Sequence, residues 1–249
     1  MTAPDDDLPL AGTVVLLRPS PGGFEVLLLR RPSRGSFADA WVFPGGKVEP
    51  GDRQAGAADV EDARRAAARE TAEEVGLVVD DLVPLSEWRP PAEAPVRIRT
   101  WFFLALAPDA EPSPAADEVV ELAWVSPGTA FERHAAGEWR LFPPTWLTLH
   151  RLSAFTDVEA ALASGGAVEL FQTEVRDGGG RSAGHRGPCT PTSCRGGSTR
   201  PDAVQASSRR RRCVPTASVS MRNPSWPKSL VSTTASPSST FRMLRAIRC

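Results

Sequence analysis

The stretch that most limits what this chain can become runs from Gly45 to Leu77, GGKVEPGDRQAGAADVEDARRAAARETAEEVGL. Gly45, Gly46, Pro50 and Gly51 spell a loop, and the Ala-, Glu- and Arg-rich run behind them spells a helix that stops at Gly76. Ala, Glu and Arg are strong helix formers, and a glycine at the end supplies the usual left-handed cap. Glu70, Glu73 and Glu74 occupy the last turns at spacing i, i+3, i+4. At about 100° per residue they fall within an arc of about 100°, so all three carboxylates project from one side of the helix.

That crowding has a cost. Like charges one turn apart repel by roughly 0.2–0.5 kcal/mol, and the C-terminal end of a helix dipole disfavours anions. A hard divalent cation offsets both, since Mg²⁺ takes oxygen ligands and is commonly held by one or two carboxylates together with substrate phosphates. The bland alternative is a solvated acidic face. The glycine-rich turn ahead of the helix favours the cation, because backbone without side chains can approach a metal or a phosphate closely.

With FPGG before it and RETAEEVG after it, the stretch resembles the Nudix box. Gly46 stands as the leading glycine, and Arg69, Glu70, Thr71, Glu73, Glu74, Gly76 and Leu77 fill the second half in order. Asp52 stands where the family carries a glutamate, and Thr71 where it carries an aliphatic residue. Sixteen residues separate Asp52 from Arg69, nine more than the family pattern has. The added residues are small and polar, so a longer loop and an earlier helix start are expected, with the Arg69–Gly76 geometry untouched.

The elongated box, WVFPGG and a later PPT-led helix together are similar to a Nudix branch related to peroxisomal-type coenzyme A diphosphatases. The resemblance implies an α/β fold (α+β mixed), an α/β/α sandwich with a mixed sheet, over residues 8–175. It implies an enzyme that uses Mg²⁺ or Mn²⁺ to hydrolyse a diphosphate linkage in CoA, acyl-CoA or another nucleoside diphosphate derivative. Gly46, Glu70, Glu73 and Glu74 would hold the metal, with Glu70, Arg69 and Glu73 as the catalytic set and Arg69 orienting a glutamate. The general base is Glu70 or a later carboxylate, for which Glu118 and Glu121 are the candidates. Arg30, Arg31 and Arg34 open directly beside the box and either meet substrate phosphates or are plain surface charge. Two other readings stay open: a catalytically silent Nudix fold that binds or regulates, and a hydrolase of ADP-ribose or nucleotide sugars.

Charge divides the chain in two. Residues 178–249 carry 13 basic side chains and one acidic one, Asp202, leaving 16 basic and 29 acidic for residues 1–177. All four cysteines (Cys189, Cys194, Cys213 and Cys249) lie in that basic tail, without the CxxC spacing of a zinc knuckle. A cysteine-free first part fits a cytoplasmic enzyme and not a disulfide framework. The acidic start MTAPDDDLPL does not read as a signal peptide, and no apolar run approaches the ~20 residues that span a bilayer. The tail, rich in Ser, Arg, Gly and Pro with RRRR at 209–212, keeps no helical or strand period. It reads as disordered or as out-of-frame translation of GC-rich DNA, so nucleic acid is not expected as a partner. No oligomeric state follows from the sequence, although a homodimer is compatible with it.

In chain order, GTVVLLR and FEVLLLRR form a hairpin around PSPGG, both runs apolar enough to be buried on two faces. FADAWVF is a third short strand, RIRTWFFLALA a fourth and ELAWV a fifth, while LVVDDLVPLSEWRPP is ambiguous between helix and strand. SPGTAFERHAAGE and PPTWLTLHRLSAF read as helices, the second with Trp146, Leu149, Leu152 and Phe155 at helical period. Residues 157–164 add a helical turn or two, and AVELFQTEV closes the sheet. His134 and His150 lack ligand-spaced partners and are expected at the surface or at helix caps.

Overall fold

The computed structural model describes residues 7–35, 37–92, 94, 96–176, 219–221 and 240–247. The strands are β1 (Leu10–Ser20), β2 (Gly23–Arg30), β3 (Ala40–Val42), β4 (Gly45–Lys47), β5 (Val83–Arg89), β6 (Arg99–Leu106), β7 (Glu121–Val125), β8 (Arg140–Leu141), β9 (Glu169–Arg176), β10 (Val219–Met221) and β11 (Thr240–Ile247). The helices are α1 (Asp59–Val75), α2 (Pro127–Ala135), α3 (Pro143–Leu152) and α4 (Val158–Ala163). The strands join in one mixed sheet in the order β10-β11-β9-β5-β6-β1-β2-β3-β8, with β4 also on β1 and β7 also on β2.

The central strands are buried on both faces, as their apolar runs demand. Val15, Leu17, Val26 and Leu28 face a core closed by Ala130, Leu149, Leu152 and Ala161 of α2, α3 and α4. Their neighbours Val14, Leu16, Leu27 and Leu29 face a second core closed by Ala63, Ala67 and Val75 of α1. Alternation along β1 and β2 thus sorts side chains between two helical layers, and the result is the α/β/α sandwich.

Strand β1 is the axis of the site. It runs parallel to β6 from Leu10↔Arg99 to Leu17↔Leu106. Its first half also pairs with β4, matching Gly12 to Gly46 and Thr13 to Gly45. The glycine loop is therefore stitched into the sheet. Helix α1 lies directly over this join: a Cβ at Gly12 would stand 1.8 Å from the Ala63 carbonyl oxygen and 2.9 Å from the Ala67 Cβ. Only glycine beneath an alanine face lets helix and strand approach so closely. Gly12→Ala is expected to cost about 1–3 kcal/mol by overpacking, read as a lowered melting temperature; an unchanged melt would mean the contact is slack.

The stretch ambiguous in sequence is strand β5, which pairs antiparallel with β6 and parallel with β9. Two strands are described within the tail. β11 runs antiparallel to β9 from Thr240↔Arg176 to Ile247↔Glu169, and β10 pairs with β11. β5 covers one side of β9 over Glu169–Gln172, and β11 takes the other side, so the backbone groups of that edge are paired. The four cysteines and RRRR lie outside the described residues. Among the described residues no helix is long and apolar enough to cross a membrane.

Candidate active site

The added residues behave as their composition implies. After a short helical turn at Pro50–Asp52 the chain loops to Ala58, and α1 starts at Asp59, more than two turns before Arg69. Gly76 ends α1 at φ 69°, and its amide donates to the Ala72 carbonyl at 3.1 Å. The face that packs on the sheet is Ala63, Ala67, Thr71 and Glu74, each three or four residues from the last. Thr71 fits a buried, apolar position because its hydroxyl donates back to the Ala67 carbonyl at 2.7 Å. Glu74 continues the same stripe, so this carboxylate is buried at 2% exposure while Glu73 stays 57% exposed.

Each carboxylate has its own surroundings. Glu74 accepts from the Gly45 amide at 2.9 Å and from Arg31 Nη1 at 3.2 Å. Burial pushes its pKa up to about 7; Gly45 and Arg31 oppose the rise, and the charges of Glu70 and Glu118 add to it. Glu70 fills the space over Gly46, where a Cβ would meet its carboxyl carbon at 2.2 Å. Burial raises its pKa too, against the pull of Arg69 and with help from Glu73 and Glu118. Gly46→Ala should drive the Glu70 carboxyl out of this space and lower turnover about tenfold or more with the fold kept; wild-type turnover would show that Glu70 need not sit there.

Arg69 binds the pieces together. Its Nε and Nη2 reach the two oxygens of Asp52 at 3.2 and 3.0 Å, its Nη2 the Lys47 carbonyl at 3.1 Å, and its Nη1 Glu73 at 2.7 Å and Glu70 at 3.0 Å. This bidentate fork fixes geometry as well as charge. Burial works against the charge on Asp52, yet the Arg69 and Glu49 hydrogen bonds and the Arg69 and Arg65 charges hold its pKa below the ordinary value. Asp52, where the resemblance has a glutamate, is thus the two-oxygen partner of Arg69.

The two later candidates part company. Glu118 lies close enough for its charge to act on both Glu70 and Glu74, whereas Glu121 pairs with Arg30 Nε at 3.3 Å across β2 and β7. What brings the exposed Glu118 near the end of α1 is invisible in the sequence: Ser113 and Ala115 donate to the Val75 and Glu74 carbonyls, capping the open end of α1 with the 107–120 loop. The arginines separate as well. Arg31 lies on Glu74, Arg30 spans Glu121 and Asp39, and Arg34 donates to the Asp117 carbonyl at 3.0 Å. His134, expected at the surface or a cap, is buried with Nδ1 3.0 Å from the Trp139 carbonyl at the end of α2; His150 is exposed on α3.

Among the described residues no three acidic, His or Cys side chains already stand as a metal-binding group. The donor set nonetheless suits a hard cation. Glu70 and Glu74 share one helix face beside glycine backbone, and each is made more basic by burial and, to a lesser degree, by its acidic neighbours, a strain that a cation relieves.

Residues 8–145 match the NUDIX domain family. The chain belongs to that family. It carries a NUDIX hydrolase domain, and the family cleaves pyrophosphate bonds in nucleoside diphosphate derivatives, generally with divalent metals such as Mg²⁺. The fold is similar to a NUDIX hydrolase from Alicyclobacillus acidocaldarius, with a TM-score of 0.57 and 25% identity over 63% of this chain and 96% of that one. A Caenorhabditis elegans protein named as nudix hydrolase 7 is 28% identical over 174 residues, 53% of this chain. The match spans 57% of that relative's length.

Proposed function

We propose that residues 8–175 of this NUDIX protein form a metal-dependent diphosphate hydrolase acting on CoA or acyl-CoA. The observation that carries the reading is that Arg69 ties Asp52 to Glu70 and Glu73 while Glu70 and Glu74 lie against Gly46 and Gly45 of the glycine loop. Glu70, Glu73 and Glu74, with the Gly46 carbonyl, would hold Mg²⁺ or Mn²⁺. The chemistry such a cation supplies is charge neutralisation at the phosphoryl oxygens and acidification of water. Arg69 orients Glu70 and Glu73. Glu70 or Glu118 receives the proton of the attacking water, and Glu121, tied to Arg30, stands aside. Water adds to one phosphorus and the bridging P–O bond breaks; from CoA the products are 3′,5′-ADP and 4′-phosphopantetheine. Positioning and charge carry most of such a phosphoryl transfer.

The CoA class rests on the run WVFPGG, the elongated box and the Pro143-led helix, which resemble the coenzyme A diphosphatase branch. The test offers CoA, dephospho-CoA and ADP-ribose to the protein with Mg²⁺ or Mn²⁺ and follows products by chromatography. CoA should be cleaved, and EDTA should abolish cleavage. Turnover indifferent to chelation would remove the carboxylate site, and turnover of ADP-ribose without CoA would move the reading to nucleotide sugars.

A further inference from the structure

We propose that Arg65, in the lengthened segment between Asp52 and Arg69, is a positioning residue for the carboxylate site, acting through Asp52. The inference rests on the hydrolase reading above. Arg65 precedes Arg69 by four residues and so lies on the same side of α1. Its Nε donates to the Asp52 carbonyl at 2.6 Å, and its Nη2 meets the Asp62 carboxylate. Asp62 is only 6% exposed; it also accepts from the Gln54 amide at 3.3 Å and faces Arg53 Nη1 at 3.8 Å.

Asp52 is thereby held twice. Arg65 holds its main chain, and Arg69 takes its carboxylate in a fork. Arg69 is in turn the contact that places Glu70 and Glu73. If the Asp52 peptide turned, the fork would open and both glutamates would lose their common anchor. A longer box loop has more conformations to lose on ordering, and Asp62 and Arg65 supply the latch within the very segment that is lengthened. The geometry makes the addition a rigid strut rather than slack chain.

The test compares wild type, Arg65→Met, Arg65→Lys and Asp62→Asn in the full chain. Mn²⁺ affinity is read by electron paramagnetic resonance of the free ion, turnover on the best of the three compounds above, and folding by thermal melting. Arg65→Met keeps the aliphatic stem, so the melting temperature should move by no more than about 3 °C. Mn²⁺ affinity and kcat should each fall about tenfold with KM within about twofold, the scale of losses when a partner that orients ligands is removed. Arg65→Lys, with one donor group, should recover part of the loss, and Asp62→Asn should weaken Mn²⁺ binding in the same direction. Arg65→Met with wild-type Mn²⁺ affinity and kcat overturns the inference, as does a loss that merely tracks unfolding. A wild type that binds no Mn²⁺ overturns the hydrolase reading, and this inference falls with it.

Discussion

Glu74→Gln should lose at least about a hundredfold in kcat, ~2.7 kcal/mol of barrier, without losing stability. The amide is nearly isosteric, and its oxygen can still accept from Gly45, so the fold has no reason to fail. The uncharged group cannot serve as an anionic ligand, so the rate has every reason to. The pH dependence gives an independent check. Glu74 has its folded pKa raised from 4.5 to about 7, chiefly by burial. Between those values the folded protein keeps a proton that the unfolded chain has released, so the contribution to stability is full below about 4.5 and is lost as pH rises through about 7. Metal-free wild type should therefore melt at falling temperature as the pH climbs across this window, and Glu74→Gln should flatten that fall. A variant keeping more than about a tenth of wild-type kcat would show that Glu74 is no principal ligand. A variant several degrees less stable than wild type at about pH 8 would show instead that the charge is worth more to Arg31 than burial costs.

The same residue shows how much of this protein can be read from its sequence. Glu70, Glu73 and Glu74 sit on consecutive turns of one helix, so their shared side follows from spacing alone. The burial of Glu74 was also legible in principle, since it continues the stripe Ala63, Ala67, Thr71, whose two alanines pack on Gly12. The two cores were foreshadowed by apolar runs too continuous for a half-exposed sheet. What escaped was everything set by contacts distant in the chain. The parallel pairing of β1 with β6 and the stitching of Gly45–Lys47 onto β1 have no local signature. The loop that caps α1 and brings Glu118 near its end is bound through its backbone, to which side-chain patterns are blind. Asp62 and Arg65 did leave a trace, at i, i+3 and i+7 with Arg69, but in a stretch that read simply as the start of the helix. The pairing of Thr240–Ile247 with β9 likewise depends on an open strand edge, not on a period in the tail.

The three arginines before the box looked equivalent in sequence, and their contacts predict unequal effects. Arg31→Ala should lower kcat/KM about tenfold or more, while Arg30→Ala and Arg34→Ala should stay within about threefold of wild type. Arg30 is occupied by Glu121 and Asp39 on the strand edge, and both pairs are exposed enough for solvent to weaken them. Arg34 holds a backbone carbonyl of the 107–120 loop. Arg31 alone touches a site carboxylate, and that carboxylate is buried. A contact of a charge with a buried partner is worth roughly 1.5–3 kcal/mol, which is about ten- to hundredfold. Its loss also removes a charge that holds the Glu74 pKa down, so the acid limb of the pH–rate profile should move to higher pH in Arg31→Ala only. If Arg31 acts only through Glu74, CoA, dephospho-CoA and ADP-ribose suffer equally. A larger loss on CoA than on dephospho-CoA assigns Arg31 a second role at the 3′-phosphate, the one group by which those two compounds differ. Wild-type kinetics in Arg31→Ala, or an effect of Arg34→Ala as large, would break the link drawn here between contact with Glu74 and function.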